Sequence, residues 1–363
     1  MLKILQQYKK RIDVPLLAVI FFILSFGLIT LSGSNLDSPN IIINQITNIF
    51  VGLLIFSILI FTNPRILFVY APILFLLCLL LLVLVHFFGV ESNGAKRWLA
   101  FGAINLQPSE LLKVTLPLMI AWLYKNNQNN ISLGIHFLAV FIIFIPVYLV
   151  FLQPDLGTSI MIALSGLLII FLAGIPWRLI LTSTVITIIS SPIIWMNLHA
   201  YQKNRVLNML DPFTDPLGTG YHTIQSMIAI GSGGGFGKGW AEGSQTNLQF
   251  LPEANTDFIF AVYSEEFGFF GIAIIFILYL LFIYRIFILA NHMQDTFSKL
   301  LTASLGVSIF SAIFVNIAMI SGLVPIVGLP LPFMSYGGTS MVVSLASIGI
   351  IMSLNNHKTL IAN

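Results

Sequence analysis

The chain has 363 residues, of which 58% are hydrophobic and only 8% are charged, whereas soluble domains carry about 25% charged residues. A protein of this size with so few charged residues would not be soluble in water. The composition therefore predicts a membrane protein. The net charge of +3, with no basic block interleaved with aromatic residues, gives no indication of nucleic-acid binding. The single cysteine, Cys78, excludes an internal disulfide framework.

Ten apolar segments are long enough to cross a bilayer, a crossing that takes about 20 residues. They lie at about 14–33, 41–61, 66–88, 108–124, 132–151, 155–174, 178–197, 257–285, 299–321 and 336–354. The fifth and sixth form one nearly continuous stretch, which we divide at Gln153-Pro154-Asp155 because proline is typical of a helix's first turn. The sequence therefore predicts one all-α polytopic membrane domain, residues 1–363, with ten transmembrane helices.

The basic residues predict the orientation. With a cytoplasmic N-terminus, ten of the sixteen Lys and Arg residues lie inside, as the positive-inside rule expects. Ten crossings also return the C-terminus to the cytoplasm, beside Lys358. The basic residues that fall outside against this bias are Lys96, Arg97, Lys203, Arg205 and Lys238.

One large extracytoplasmic loop, residues 198–256, is predicted between the seventh and eighth helices. Loops of this length are usually functional or disordered, and its aromatic anchors favour an ordered loop on the membrane surface. Residues 223–230 predict a short amphipathic helix, and residues 231–239 a glycine-rich turn. A flexible hinge is the simpler interpretation of these glycines, and a backbone site for an anion is the alternative.

Charged residues inside spans are costly and need a partner or a function. Glu110 and Lys113 are three residues apart at the start of the fourth span, so they share a helix face and are expected to pair. The pair either only makes the span tolerable or lines a polar cavity continuous with the long loop. Asp155, in the first turn of the sixth span, is either a helix cap or a site residue.

The eighth span is expected to begin at Asp257, with Thr256 as its cap. If this helix is continuous, the Asp257 carboxylate stands ~12 Å above the hydrocarbon core, at the level of the lipid headgroups. Glu265 and Glu266 point to other sides of such a helix and are expected at the membrane interface. The proline-rich segment 322–340 is expected to help wall the same cavity, because irregular backbone at membrane depth needs protein or a wet cavity around it.

Five motifs occur in order along the chain: GAKRWLAFGAINLQPSE, QPDLGT, DPFTDPLGTGYHTIQS, FLPEANTDFIFAV and PFMSYGGTS. Together they resemble the SEDS family (shape, elongation, division and sporulation), and its elongation members more than its division members. The resemblance implies a peptidoglycan glycosyltransferase that polymerises lipid II on the outer face of the bacterial cytoplasmic membrane, beside a class B penicillin-binding protein. The family's catalytic aspartate maps onto Asp257, and its other important polar positions map onto Glu110 and Asp155.

The chemistry of these residues fits that implication. Glycosyl transfer from a lipid diphosphate needs a base for the acceptor hydroxyl and cations for the departing diphosphate. We expect Asp257 to be the base. The expected substrate-binding residues are Glu110, Lys113, Asp155, Lys96, Arg97 and Arg205. No residue spacing typical of a metal site is present, and the use of a divalent cation, Mg²⁺ or Mn²⁺, stays open.

Two alternatives belong to other functional classes. A lipid II transporter would share the topology and the polar groove but would need access from both faces of the membrane. A non-catalytic scaffold for a cell-wall synthase would leave the polar residues of the spans unexplained. The cytoplasmic loops are short and most polar residues lie on the outer side, which favours a reaction on the outer face of the membrane.

Overall fold

The structure is a computed structural model that describes residues 12–36, 38–92, 95–102, 104–198, 200–216, 220–248, 250–251 and 253–356. Its first seven helices are α1 Val14–Ser34, α2 Pro39–Phe61, α3 Pro64–Phe88, α4 Pro108–Asn126, α5 Leu133–Phe151, α6 Leu156–Leu172 and α7 Trp177–Asn197. Three further long helices are α11 Ile259–Asn291, α12 Thr296–Ile320 and α13 Gly338–Asn356. Each of the ten predicted apolar segments thus coincides with a helix.

Seven of these helices are long and apolar enough to cross a membrane: α1, α2, α3, α5, α11, α12 and α13. Two others, α6 and the Trp177–Ile193 part of α7, are apolar but shorter. The remaining helix, α4, begins with the charged residues Glu110 and Lys113. A multi-pass membrane protein is therefore confirmed, and the count of ten crossings stays a prediction.

Side chains at the helix starts explain several boundaries. A side-chain oxygen of the residue before the helix accepts a hydrogen bond from the first turn, which satisfies one of the backbone N–H groups left over there. The residues that cap a helix in this way are Asp13 for α1, Asn63 for α3, Asp155 for α6 and Asp295 for α12. Asp13 also accepts from Arg285 at 2.8 Å, which ties the start of α1 to α11.

The last two long helices form the centre of the bundle. In their most apolar stretches, 61% of the residues of α12 and 67% of those of α13 are buried, against 17% for α2. Helix α13 packs along α2, and α12 packs against α4, α6 and α11. The more peripheral helices expose large apolar side chains, as a lipid-facing surface requires.

A small β-sheet makes the all-α prediction wrong in detail. Strands β1 Val90–Ser92, β2 Ala95–Phe101 and β3 Ile104–Leu106 form an antiparallel sheet in the order β1-β2-β3. In the register, Val90 pairs with Trp98 and Leu99 with Leu106. The predicted spans left this segment only as the connection between the third and fourth helices. It folds into strands because pairing satisfies its backbone hydrogen bonds, and it leads directly into α4.

The long segment before α11 is ordered and contains helices. They are α8 Ala200–Leu210, a 3₁₀ turn at Pro212–Thr214, α9 Tyr221–Ser232 and α10 Ser244–Asn247. The predicted amphipathic helix at 223–230 is confirmed as part of α9. Ser226 fixes its buried side to α12 by donating a hydrogen bond to the Ile320 carbonyl at 2.9 Å.

Helix α11 is not continuous, which corrects the ~12 Å height predicted for Asp257. Gly268 has φ 63° and ψ −160°, so the helix is broken there into two segments. Every residue from Ile259 to Glu266 is buried, and lipid-type exposure begins only at Phe269 and Phe270. The first segment therefore lies inside the protein rather than extending a membrane span.

The glycine-rich segment, residues 233–239, holds this break. Lys238 N–H donates to the Glu265 carbonyl at 2.9 Å, and Gly239 N–H donates to the Glu266 carbonyl at 3.1 Å. In return, the Phe269 N–H donates to the carbonyl of Gly234 at 2.9 Å. The glycine-rich segment thus provides hydrogen-bond partners for the backbone groups of α11 that lose their helical partners at the break. Gly233 and Gly237 are therefore part of a packed contact with residues 264–267 rather than a flexible hinge.

Glu265 and Glu266 are buried, which makes their predicted interface position wrong. Lys238 Nζ lies 2.6 Å from Glu265 Oε1, and the same oxygen also accepts from Ser244. The Ala241 N–H donates to Glu266 Oε1 at 3.1 Å. A continuous helix would have left these carboxylates at the surface, whereas the break turns the first segment of α11 inward.

Candidate active site

A cavity of about 690 Å³ lies where the β-sheet, α4, α6, α9 and the two segments before α11 and α13 meet. This volume is typical of a site for a sizeable ligand. Among the described residues, its polar lining includes Arg97, Gln107, Glu110, Asp155, Thr158, His222, Glu253, Thr256, Asp257, Tyr336 and Thr339. Four of the residues predicted to form the site are therefore brought together from separate parts of the chain: Arg97, Glu110, Asp155 and Asp257.

Asp257 lies in a turn two residues before α11, because the helix begins at Ile259 with Phe258 as its cap. The predicted start at Asp257 with a Thr256 cap is therefore wrong. Its backbone carbonyl accepts a hydrogen bond from Asn316 of α12 at 2.9 Å. A Cβ added at Gly328, whose φ is +72°, would lie 3.4 Å from Asp257 Oδ2. The proline-rich segment therefore passes close to the carboxylate, as a shared cavity wall requires.

Glu110 and Lys113 form the predicted ion pair. Lys113 Nζ lies 2.5 Å from Glu110 Oε1, with both residues in the first turns of α4. The Glu110 carboxylate is 6% exposed and the Lys113 side chain 13% exposed, so water screens the pair little. Glu110 lines the main cavity, and both residues line a smaller polar pocket next to it. Each charge of the pair thus neutralises the other, and the pair also forms part of a cavity wall.

Asp155 is the predicted helix cap, and it also lies in the cavity wall. Its carboxylate caps α6 by accepting from Thr158 N–H at 3.1 Å, and it lines the cavity. Arg97 of β2 lies 3.8 Å from this carboxylate. The same guanidinium donates to the backbone carbonyls of Gln153 and Pro154, at 3.3 and 2.7 Å. Arg97 therefore fixes the turn that positions Asp155 and leaves part of its side chain facing the cavity.

The other predicted basic residues lie in different places. Lys96 is exposed on the sheet opposite Glu91 of β1. Lys203 donates to the Met196 carbonyl at 3.1 Å, and Lys238 pairs with Glu265. Arg205 belongs to helix α8, but its side chain lies outside the described residues. Arg97 and Lys113 are thus the predicted cations that the structure places at the cavity or beside it.

Several lining residues were missed from the sequence. Trp98 lies in β2, and His222 lies at the start of α9, where its ring stacks on Phe258 at 6.1 Å between centroids. Burial lowers the pKa of His222 below its ordinary 6.5, while the charge of Glu253 opposes that shift. Trp98 and His222 fall within the motifs that carry the family resemblance, but nothing in their spacing indicates a cavity.

An apolar cavity of about 250 Å³ adjoins the polar one. Both cavities are lined by Leu156, Ile326, Val327 and Leu329. The apolar cavity extends along α6 and α12 and reaches Leu198 after the end of α7 and Val206 within α8. The two cavities together offer polar walls at one end and hydrocarbon at the other, which suits an amphipathic ligand.

Comparison with protein families gives a match over residues 12–360 to the FtsW/RodA/SpoVE family, described as cell cycle proteins. The chain is 43% identical to the peptidoglycan glycosyltransferase MrdB of Escherichia coli K12, over 98% of this chain and 96% of that protein. It is 37% identical to the Helicobacter pylori J99 protein of the same name, over 86% of this chain and 82% of the relative.

Two solved structures have the same fold. One is a chain from a study of the structural coordination of polymerization and crosslinking by a peptidoglycan synthase complex. It superposes with a TM-score of 0.84 at 32% identity, covering 96% of this chain and 98% of the other. The other is the rod shape determining protein RodA of Thermus thermophilus, with a TM-score of 0.73 at 26% identity, covering 96% and 97%.

Proposed function

The chain belongs to the FtsW/RodA/SpoVE family and is a peptidoglycan glycosyltransferase of the bacterial cytoplasmic membrane, and from this premise we propose that it polymerises lipid II with Asp257 as the general base. The observation that carries the proposal is the position of Asp257 in the wall of the same large polar cavity as Glu110, Asp155 and Arg97. The topology that we propose has ten crossings, both termini in the cytoplasm and this cavity on the outer side, in one domain.

In the proposed reaction, the hydroxyl oxygen of the acceptor sugar attacks the anomeric carbon of the donor. The bond from that carbon to the diphosphate breaks, the new glycosidic bond forms, and the hydroxyl proton goes to the Asp257 carboxylate. A carboxylate can act as this base because the reaction requires it to accept only one proton, as the acceptor hydroxyl oxygen attacks. The hydrogen bond from Asn316 holds the backbone of Asp257, and the Gly328 backbone lies close to its carboxylate.

The substrate's two ends match the two cavities. The adjoining apolar cavity, lined by residues such as Ile160 and Val315, is suited to the polyprenyl chain. The diphosphate would lie in the polar cavity, where Arg97 can face it and Lys113 lies behind Glu110. The described residues form no cluster of three or more metal-ligating side chains, so a divalent cation such as Mg²⁺ or Mn²⁺ would enter with the diphosphate as its counter-ion.

We further propose that the chain works beside a class B penicillin-binding protein that cross-links the new glycan. The support is the structural likeness to a chain of a peptidoglycan synthase complex, over nearly the full length of both chains. Of the alternatives, a transporter would need a second opening on the other side of the bundle. The cavity that brings the predicted site residues together is instead built from the loop-rich end.

The test is polymerisation of purified lipid II by Asp257→Asn, which keeps the size of the side chain and removes its basicity. We expect a loss of at least about 10²-fold in rate, the lower range for a general base. Asp295→Asn is the matched control, because Asp295 caps α12 and pairs with Lys125 away from the cavity. Wild-type rates for Asp257→Asn would refute the base, and flipping of lipid II without polymerisation by the wild type would favour the transporter.

A further inference from the structure

The turn that carries Asp257 is held by an unusual set of hydrogen bonds. The backbone carbonyls of three successive residues, 255, 256 and 257, each accept from a different partner. Tyr336 N–H donates to the first at 2.9 Å, Ser335 Oγ to the second at 2.6 Å, and Asn316 Nδ2 to the third at 2.9 Å. We call Asn316 and Ser335 the side-chain clamp, because these two donors are side chains.

Asn316 is fully buried within α12, an apolar helix. Its amide group donates a second hydrogen bond to the Leu329 carbonyl at 2.6 Å. Both neighbours are carbonyls, so only the NH₂ side of the amide can face them. A polar side chain at this depth is costly unless it has a function or satisfies other polar groups. Asn316 therefore joins the turn carrying Asp257 directly to the proline-rich segment, which forms part of the same cavity wall.

Ser335 makes the second link. While it donates to the Thr256 carbonyl, its Oγ also accepts from Leu331 N–H at 2.7 Å. The Ser335 carbonyl in turn accepts from Gln45 Nε2 of α2 at 3.0 Å, and Gln45 is buried. The clamp is thus anchored on helices α12 and α2. The turn holding Asp257 cannot shift without breaking several buried hydrogen bonds.

We infer that Asn316 and Ser335 are positioning residues for glycosyl transfer: they fix the backbone of the Asp257 turn against the proline-rich wall, so that the carboxylate stays aimed at the acceptor hydroxyl. This inference rests on the proposed role of Asp257. Neither clamp side chain lines the main cavity, and Ser335, unlike Asn316, lines the smaller pocket beside it. Substitution of Asn316 should therefore change the placement of the base rather than the binding of substrate. A misplacement of about 1 Å in an active site can cost 10²-fold in rate.

The experiment measures kcat and KM for lipid II polymerisation by Asn316→Leu and Ser335→Ala, each below its own unfolding midpoint. Asn316→Leu removes both donors and keeps the branched shape and the number of heavy atoms of the side chain. We expect kcat to fall at least about tenfold in Asn316→Leu and less in Ser335→Ala, with KM within about threefold of wild type. Ser304→Ala is the control, because Ser304 is equally buried in α12 but donates to the Ser165 carbonyl of α6 at 2.7 Å. We expect it to reduce stability and leave kcat within about twofold.

The outcomes separate the two proposals. Wild-type kcat in folded Asn316→Leu, beside an inactive Asp257→Asn, would overturn the positioning role alone. A loss confined to KM would overturn it as well, because it would assign the clamp to substrate binding. If Asn316→Leu does not fold, the kcat of Ser335→Ala tests the positioning role instead, and a wild-type kcat would overturn it. Full polymerisation by Asp257→Asn would overturn the base, and the positioning role with it.

Discussion

The break in α11 depends on glycine at position 237, and Gly237→Ala tests that dependence. Gly237 has φ +83°, in the left-handed region that favours glycine. A Cβ placed there would collide with the Glu266 carbonyl and with backbone atoms of Phe267. Those atoms belong to the helix end itself and cannot move aside as a flexible side chain would. The substitution should therefore push the glycine-rich segment off the break.

The magnitude follows from three contributions. Left-handed backbone costs a residue with a side chain about 1–2 kcal/mol. Moving the segment also weakens the hydrogen bonds that Lys238 and Gly239 donate to the carbonyls of Glu265 and Glu266, each worth about 1 kcal/mol. Together these terms predict a loss of about 3–4 kcal/mol, which corresponds to a fall in Tm of about 4–5 °C for a chain of this length.

Thermal unfolding of purified protein in detergent measures this loss, and the chain offers graded controls. Gly231 lies in helix α9 with nothing within 4 Å of an added Cβ. Gly231→Ala should be neutral or stabilise by up to about 1 kcal/mol. Gly234 has φ +56° but open space around it, so Gly234→Ala should show only the conformational cost of about 1–2 kcal/mol. Equal Tm values for Gly237→Ala and Gly231→Ala would refute the reasoning.

Two further predictions concern the cavity and its pH response. Arg97→Lys keeps the charge but loses the fork that binds the carbonyls of Gln153 and Pro154, so kcat/KM for lipid II should fall about tenfold while Lys96→Arg leaves it unchanged. The pKa of His222 is lowered by burial, so between its folded value and 6.5 the unfolded chain binds more protons. His222 therefore reduces stability as pH falls below 6.5, and His222→Gln should lessen the drop in Tm between about pH 7.5 and 5.5. An unchanged drop in that variant would assign the pH response to other groups.

Much of the fold is determined by local sequence pattern. The ten apolar segments coincide with helices because length and hydropathy alone predict an element that lipid can surround. The Glu110–Lys113 pair and the Asp155 cap are also local, since three residues along a helix bring the partners together. The position of Asp257 at a cavity was predicted through the motif in which it lies.

The tertiary structure decided the features that depend on distant residues. Arg97 binds the Pro154 carbonyl across 57 positions of sequence, and Asn316 binds the Asp257 carbonyl across 59. Helix and strand periodicity predicts contacts only between residues that are close in sequence, so it could not predict these two hydrogen bonds. The same holds for the break at Gly268, because the partners that make it tolerable come from the glycine-rich segment and not from α11 itself. The sequence thus determined which segments are helices and which polar residues lie in spans, where burying them costs free energy. Only the folded chain decided which backbone groups those polar residues satisfy, because a buried hydrogen bond is specified by three-dimensional proximity.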